Sequence, residues 1–195
     1  MTMTLKPAPE FNPLAARQTQ DWQHDAHLLC CRVDPTGRFV VAGGIDHCIQ
    51  RWEIASGTKT TLTAHTNWVR TIGFSSDGAT LWSGAYDGQW ITWDLTAQTP
   101  QPVRQIQAHR GWLRGLAVST DGQQIATCGN DGLVRIWNAA DGQLIHELSG
   151  HTSIPYCVHF VPESSELVSG DIRGAIHHWN GGRQAELRGI GPERD

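Results

Sequence analysis

The 195-residue chain carries ten histidines, 19 aspartates and glutamates and five cysteines, the side chains that could ligate a metal, move a proton or attack a substrate. The densest group is His24-Asp25-Ala26-His27, followed by Cys30-Cys31, which offers ligand types in metal-like number. Neighbours on a strand point to opposite faces, so Cys30 and Cys31 do not converge, and neither do His177 and His178. No Ser-His-Asp order, GxSxG elbow, Walker loop or GxGxxG after a strand is present. Ala42-Gly43-Gly44 and Asn180-Gly181-Gly182 read as turn and strand-crossing glycines. The expectation is no enzyme, no metal and no cofactor.

What several histidines share is a context. His24, Asp46 and Trp52 recur as His65, Asp87 and Trp93, then as His109, Asp131 and Trp137, and in part as His151 and Trp179. A period of roughly 40–45 residues points to stacked or radial repeats rather than one irregular core. The unit is most complete from His65 to Asp94. Its runs Trp68–Phe74, Thr80–Gly84 and Gln89–Trp93 are rich in Trp, Ile, Val and Thr and bounded by Gly, Asp and Ser, which predicts short strands. A fourth strand follows each Trp, at Lys59–Thr63, Val103–Gln107 and Gln143–Leu148.

Four strands per unit, with a His before the first and a Trp-Asp ending the third, resembles the WD-repeat (WD40-type) family of β-propellers. The resemblance implies an all-β fold of four-stranded antiparallel blades. Four repeats are expected within 17–190, at approximately 24–63, 65–107, 109–149 and 151–189, after a flexible arm at 1–16 and before a tail at 191–195. Residues 17–23 align with the outer strand of the repeat and could close a ring. The resemblance also implies a His, hydroxyl, Asp and Trp network in each blade. Repeat two supplies His65, Ser83, Asp87 and Trp93; repeat three supplies His109, Thr127, Asp131 and Trp137. The first has His24, Asp46 and Trp52 but Ala42 in place of the hydroxyl. The fourth has His151, Ser169 and Trp179 but Arg173 at the Asp position, so that network is broken or rebuilt. Buried polar groups need such partners, which makes these residues structural.

Four repeats are few for a ring, so the expectation is a partial propeller, completed by further chain or by a second copy, which makes a homodimer one outcome. The net charge of −4 gives the whole molecule no bulk attraction for nucleic acid or an anionic membrane. The N-terminus has no apolar signal region and no 18-residue apolar run occurs. An odd number of cysteines without a CxxC pair reads as reduced thiols and a cytoplasmic location.

Function is then expected at the propeller top, where the resemblance implies that partner peptides dock. The positions are Leu29, Arg70, Arg114 and Tyr156 at the start of the inner strands, with Ile45, Tyr86, Asn130 and Ile172 before the Asp position. Both tyrosines of the chain and two arginines on adjacent repeats fall in this set. The expected function is a non-catalytic protein–protein interaction scaffold whose partner is an acidic or phosphorylated peptide. The alternative is a propeller module of a larger enzyme or sensor whose catalytic part lies outside this chain.

Overall fold

Turn residues punctuate the chain and the strands fill the intervals. In the computed structural model, residues 15–181 and, as backbone, 183–185 are described. The expected arm and tail, and residues 186–189 of the last outer strand, lie almost wholly outside them. The first sheet holds β1 (Leu28–Val33), β2 (Phe39–Gly44), β3 (Cys48–Glu53) and β4 (Lys59–Thr63). The second holds β5 (Val69–Phe74), β6 (Thr80–Ala85), β7 (Gln89–Asp94) and β8 (Pro102–Gln107). The third holds β9 (Leu113–Val118), β10 (Gln124–Gly129), β11 (Val134–Asn138) and β12 (Leu144–Leu148). The fourth holds β13 (Pro155–Phe160), β14 (Leu167–Asp171), β15 (Ile176–Asn180) and β16 (Arg183–Ala185). Each sheet pairs its strands antiparallel in chain order, as a four-stranded propeller blade does. The β6–β7 and β10–β11 turns use Gly88 and Gly132 at φ 80° and 82°. In the first blade His47 takes the same left-handed backbone at φ 68°, at a cost of roughly 1–2 kcal/mol for a residue with a Cβ.

Register decides what each face buries. Ser83 lies opposite Ile72 and Ile91, and Trp93 lies opposite Leu81, so these five share one face of blade two. That face packs on Val41, Ile49 and Leu62 of blade one. The other face, with Trp82 and Trp90, meets Leu113, Leu116, Ile125 and Trp137 of blade three. Blade three in turn buries Ala126, Val134 and Ile136 against Val158, Leu167 and Trp179 of blade four. Every junction therefore joins the Trp face of one blade to the opposite face of the blade before it. Each fully buried Leu or Ile contributes about 1.5–3 kcal/mol to such a junction.

Close approach at these junctions needs glycine. A Cβ on Gly43 would stand 2.6 Å from Val69 Cγ1, and one on Gly84 would stand 2.5 Å from Leu113 Cδ2. Val69 and Leu113, the first residues of β5 and β9, are thus seated in recesses of the preceding blade, whereas blade three has Cys128 at the equivalent position. The four sheets do not close, which makes the fold a partial propeller. At the first end Leu28 and Val33 are 43% and 57% exposed; at the other Ile172 and Ile176 are 57% and 58% exposed. Gly170, the counterpart of Gly43 and Gly84, has among the described residues only its own blade beside it, with Cys157 Sγ at 3.0 Å. Residues 17–23, where a ring-closing outer strand is expected, carry no strand. There the Gln20 amide donates to the Ile54 carbonyl of blade one at 2.9 Å, and the outer position of the fourth sheet is held by β16.

Replacing Gly84 by Val is expected to lower stability by about 1–3 kcal/mol through overpacking against Leu113. Chemical denaturation of the two proteins measures it, and an unchanged midpoint would show that Leu113 is not seated as described.

Candidate functional site

Two blades carry the polar chain in full. The Trp93 indole N–H donates to Ser83 Oγ at 2.9 Å, and His65 Nε2 lies 2.7 Å from the same oxygen. His65 Nδ1 is 2.9 Å from Asp87 Oδ2. In blade three the distances are 2.8 Å from Trp137 Nε1 to Thr127 Oγ1, 2.9 Å from there to His109 Nε2, and 2.8 Å from His109 Nδ1 to Asp131 Oδ1. One proton order fits throughout: indole N–H to hydroxyl, hydroxyl to Nε2, and Nδ1–H to carboxylate. Burial pushes the Asp131 carboxyl up, but hydrogen bonds from His109 and Arg135 outweigh it and hold it well below the usual range. Burial lowers the His109 imidazole, and the Asp131 charge offsets this only in part. The imidazole therefore stays neutral and donates, a structural role.

Blade four corrects the expectation at Arg173. The carboxylate comes from Asp171, whose Oδ2 lies 3.3 Å from His151 Nδ1, while Ser169 joins His151 and Trp179 as in the other blades. Arg173 contributes its backbone N–H to Asp171 Oδ1 at 2.9 Å. The position of Asp171 explains the substitution. Its counterparts are Gly44, Ala85 and Gly129, and at the two glycines an added Cβ would press on Asp46 Oδ1 and on the His109 ring. A side chain hung there is delivered directly to the histidine. Blade one is rebuilt otherwise. Ala42 has no hydroxyl, and His24 presents Nε2 to Asp46 Oδ2 at 2.8 Å and Nδ1 to Lys59 Nζ at 2.9 Å. Buried Gln50 then links Asp46 to the Thr61 hydroxyl.

At the top, five of the eight expected positions form one cluster. Arg114 Nε donates to Asn130 Oδ1 at 2.8 Å and its NH1 to the Tyr86 hydroxyl at 2.9 Å. The Arg114 guanidinium stands 4.9 Å from the Tyr86 ring and 5.0 Å from the Tyr156 ring. Arg70 lies over the other part of Tyr156 at 5.6 Å. Burial pushes the Tyr156 phenol up, but hydrogen bonds from Arg70 and Tyr86 and the Arg114 charge hold it below its usual value. Leu29 lines a cleft with Arg70, Arg114 and Tyr156. Ile45 and Ile172 stand apart, tied to their own blades by backbone bonds to the carbonyls of His27 and Ile154.

Sequence reasoning missed two members, Trp68 and Trp112. Tyr86 is stacked between them, with centroids at 5.8 Å and 4.6 Å. Both are 43% exposed, and Trp112 also underlies Arg114 at 4.6 Å. They sit two residues before Arg70 and Arg114, and a Trp beside a polar turn is the signal. Trp90 is instead buried at the junction with blade three. Among the described residues no carboxylate forms an ion pair with Arg70 or Arg114, whereas Arg135 is paired with both Asp131 and Glu147. Also among the described residues, no three His, Cys, Asp or Glu side chains converge as a metal site, and no helix is long and apolar enough to cross a membrane.

Comparison with known proteins agrees with this geometry. A family model described as WD domain, G-beta repeat matches residues 17–53, 57–94, 100–138 and 142–180. The chain is 28% identical over 168 residues to an uncharacterized WD repeat-containing protein of Schizosaccharomyces pombe, covering 80% of this chain and 46% of that one. It is 25% identical over 174 residues to Protein groucho of Drosophila melanogaster, covering 86% and 24%. It thus spans less than half the length of either relative. Among solved structures, the U3-55K structure and the WD40 repeats of RRP9 each give a TM-score of 0.77 at 22% identity, over 84% of this chain and 52% of theirs. That likeness concerns the fold alone.

Two outcomes are expected of the networks. Thr127→Val keeps the shape but strands the Trp137 N–H and His109 Nε2, and denaturation should show a loss of about 2–4 kcal/mol; a loss below 1 kcal/mol would deny the bridge. Acid should weaken the fold in two stages. His109 is depressed in the folded chain, so below the unfolded value of about 6.5 the unfolded chain binds more protons and stability falls. Asp131 is depressed too, and its contribution, present above about 3.9, is lost as pH falls further toward its folded value. Unfolding midpoints measured across this range should decline with pH, and a midpoint that rises on acidification would contradict the assignment.

Proposed function

Because the chain belongs to the WD-repeat family, whose repeats serve generally as protein-interaction scaffolds, we propose that it is a non-catalytic platform that holds an acidic or phosphorylated peptide on its top face. One observation carries the reading. Arg70 and Arg114 stand at the top without a carboxylate partner among the described residues, next to the exposed rings of Trp68 and Trp112. The rings hold Arg114 in place, and Asn130 and Tyr86 use two of its donors, so less side-chain entropy remains to be lost when a ligand binds. A guanidinium fixed in this way binds a carboxylate or phosphate by charge-assisted bonds. Exposed Trp and ordered Arg are also the residue types that dominate binding energy in protein interfaces.

Five cysteines without disulfides support a reducing compartment, the cytoplasm, as the place of action. A second reading draws on the length of the relatives, of which this chain covers 46% and 24%. In it the arc is a recognition module of a larger enzyme or sensor, and the top face has the same role. In either case the partner is a protein or peptide, and a homodimer remains compatible with the open ends of the arc.

Titration of fluorescent acidic peptides measures the reading. The double change Arg70→Ala and Arg114→Ala is expected to weaken binding at least about tenfold, as losing a charge-assisted bond implies. Trp112→Ala should weaken it as well. Equal affinity for the original and the double variant would sink the proposal.

A further inference from the structure

The concave side of the arc holds a second basic feature, continuous with the top face. The inner strands of all four blades line one cleft of about 230 Å³. Arg32 of β1, Arg70 of β5, Arg114 of β9 and His159 of β13 all contribute to it, with Tyr156 between Arg70 and Arg114. Among the described residues no Asp or Glu lines it, although the chain as a whole has a net charge of −4. Four blades have thus each placed a cationic or basic group in a space from which carboxylates are excluded. The arginines with described ion pairs, Arg38 in the β1–β2 turn and Arg135 on β11, lie outside the cleft and meet Glu53, Asp131 and Glu147.

We propose that this cleft is a binding site for a compact, multiply charged oxyanion of the phosphate class. Size and charge together favour that class. Ligand pockets for drug-sized molecules span about 300–1,000 Å³, so this cleft suits a phosphoryl group better than a whole nucleotide. Guanidinium groups match phosphate oxygens two at a time, and a dianion gains from several cations where a single carboxylate gains from one. Arg32 donates one bond to the Cys31 carbonyl at 3.0 Å, which leaves further N–H donors for a ligand. The Cys30 thiol lies where both Arg70 and Arg32 act on it electrostatically, so those two charges share one neighbourhood. The proposal shares Leu29, Arg70, Arg114 and Tyr156 with the top-face reading and adds Arg32 and His159, which belong to the cleft alone.

The phosphoryl group could arrive as inorganic ion or on a phosphorylated side chain of a docked peptide, and calorimetry on the full chain separates these sources. Inorganic pyrophosphate is the first probe. The original protein should bind it, Arg32→Gln should bind it about tenfold more weakly, as losing a charge-assisted bond implies, His159→Gln should also lose affinity, and Arg38→Gln, the same change at an exposed arginine outside the cleft, should bind it unchanged. Arg32 and His159 are both exposed, so neither change removes a core contact. No binding of pyrophosphate to the original protein, or equal binding by it and Arg32→Gln, overturns the proposal. A phosphoserine peptide and its serine twin form the second arm. Tighter binding of the phosphorylated form, lost in Arg32→Gln, shows that the group comes on a peptide; pyrophosphate binding that depends on Arg32 with no preference between the peptides shows a free ion. Both support the cleft. Loss of all peptide binding with pyrophosphate binding intact would overturn the top-face function and leave the cleft standing.

Discussion

A single hydroxyl oxygen, accepting from an indole and donating to an imidazole, is the interaction on which blades two, three and four depend. Ser83, Thr127 and Ser169 each receive a tryptophan N–H from the third strand and turn their own proton toward a histidine before the first. The bond thereby ties the two ends of a blade that sequence keeps far apart. Because the face that carries it is covered by the preceding blade in all three, water cannot replace it, and leaving either donor unpaired costs about 1–3 kcal/mol. The carboxylate completes the chain from outside, fixing the imidazole in the tautomer that accepts at Nε2.

That dependence explains which parts of the structure were legible in the sequence. The His, hydroxyl and Trp must keep their spacing because strand register places them, so the three repeats that have all three types are read directly. The carboxylate is freer. It need only reach Nδ1, and Asp171 does so from the end of β14 rather than from the turn. Position alone, the property that sequence displays, pointed to Arg173. Blade one shows a wider freedom: without a hydroxyl at Ala42, the histidine turns its other nitrogen to Asp46 and Gln50 bridges to Thr61. Such substitutions depend on side-chain reach in three dimensions and leave no periodic trace.

The top face was legible as a set of positions and less so as a surface. Arg70, Tyr86, Arg114, Asn130 and Tyr156 do come together, because the inner strands converge there. The rings of Trp68 and Trp112 lie two residues before Arg70 and Arg114, on the turn, and stacking on Tyr86 turns isolated exposed aromatics into a wall that supports Arg114. Positions whose blades stand at the ends of the arc, Ile45 and Ile172, have no such company. Convergence, then, is a property of having a neighbouring blade, and the repeat pattern by itself does not tell which blades have one.

The two ends of the arc also differ in kind. At one, Leu28 stands out where Val69 and Leu113 are seated elsewhere; at the other, Gly170 leaves the recess that Gly43 and Gly84 have filled. The contact that would satisfy them joins unlike surfaces, so it has a direction. Whatever covers one end must therefore resemble the opposite end, whether a further blade of a longer chain or a second copy supplies it, and among copies only head-to-tail addition meets this, each added unit presenting the same end again. Whether such growth stops is then a matter of angle: a rotation that divides the circle gives a closed wheel, and any other gives a helical fibre.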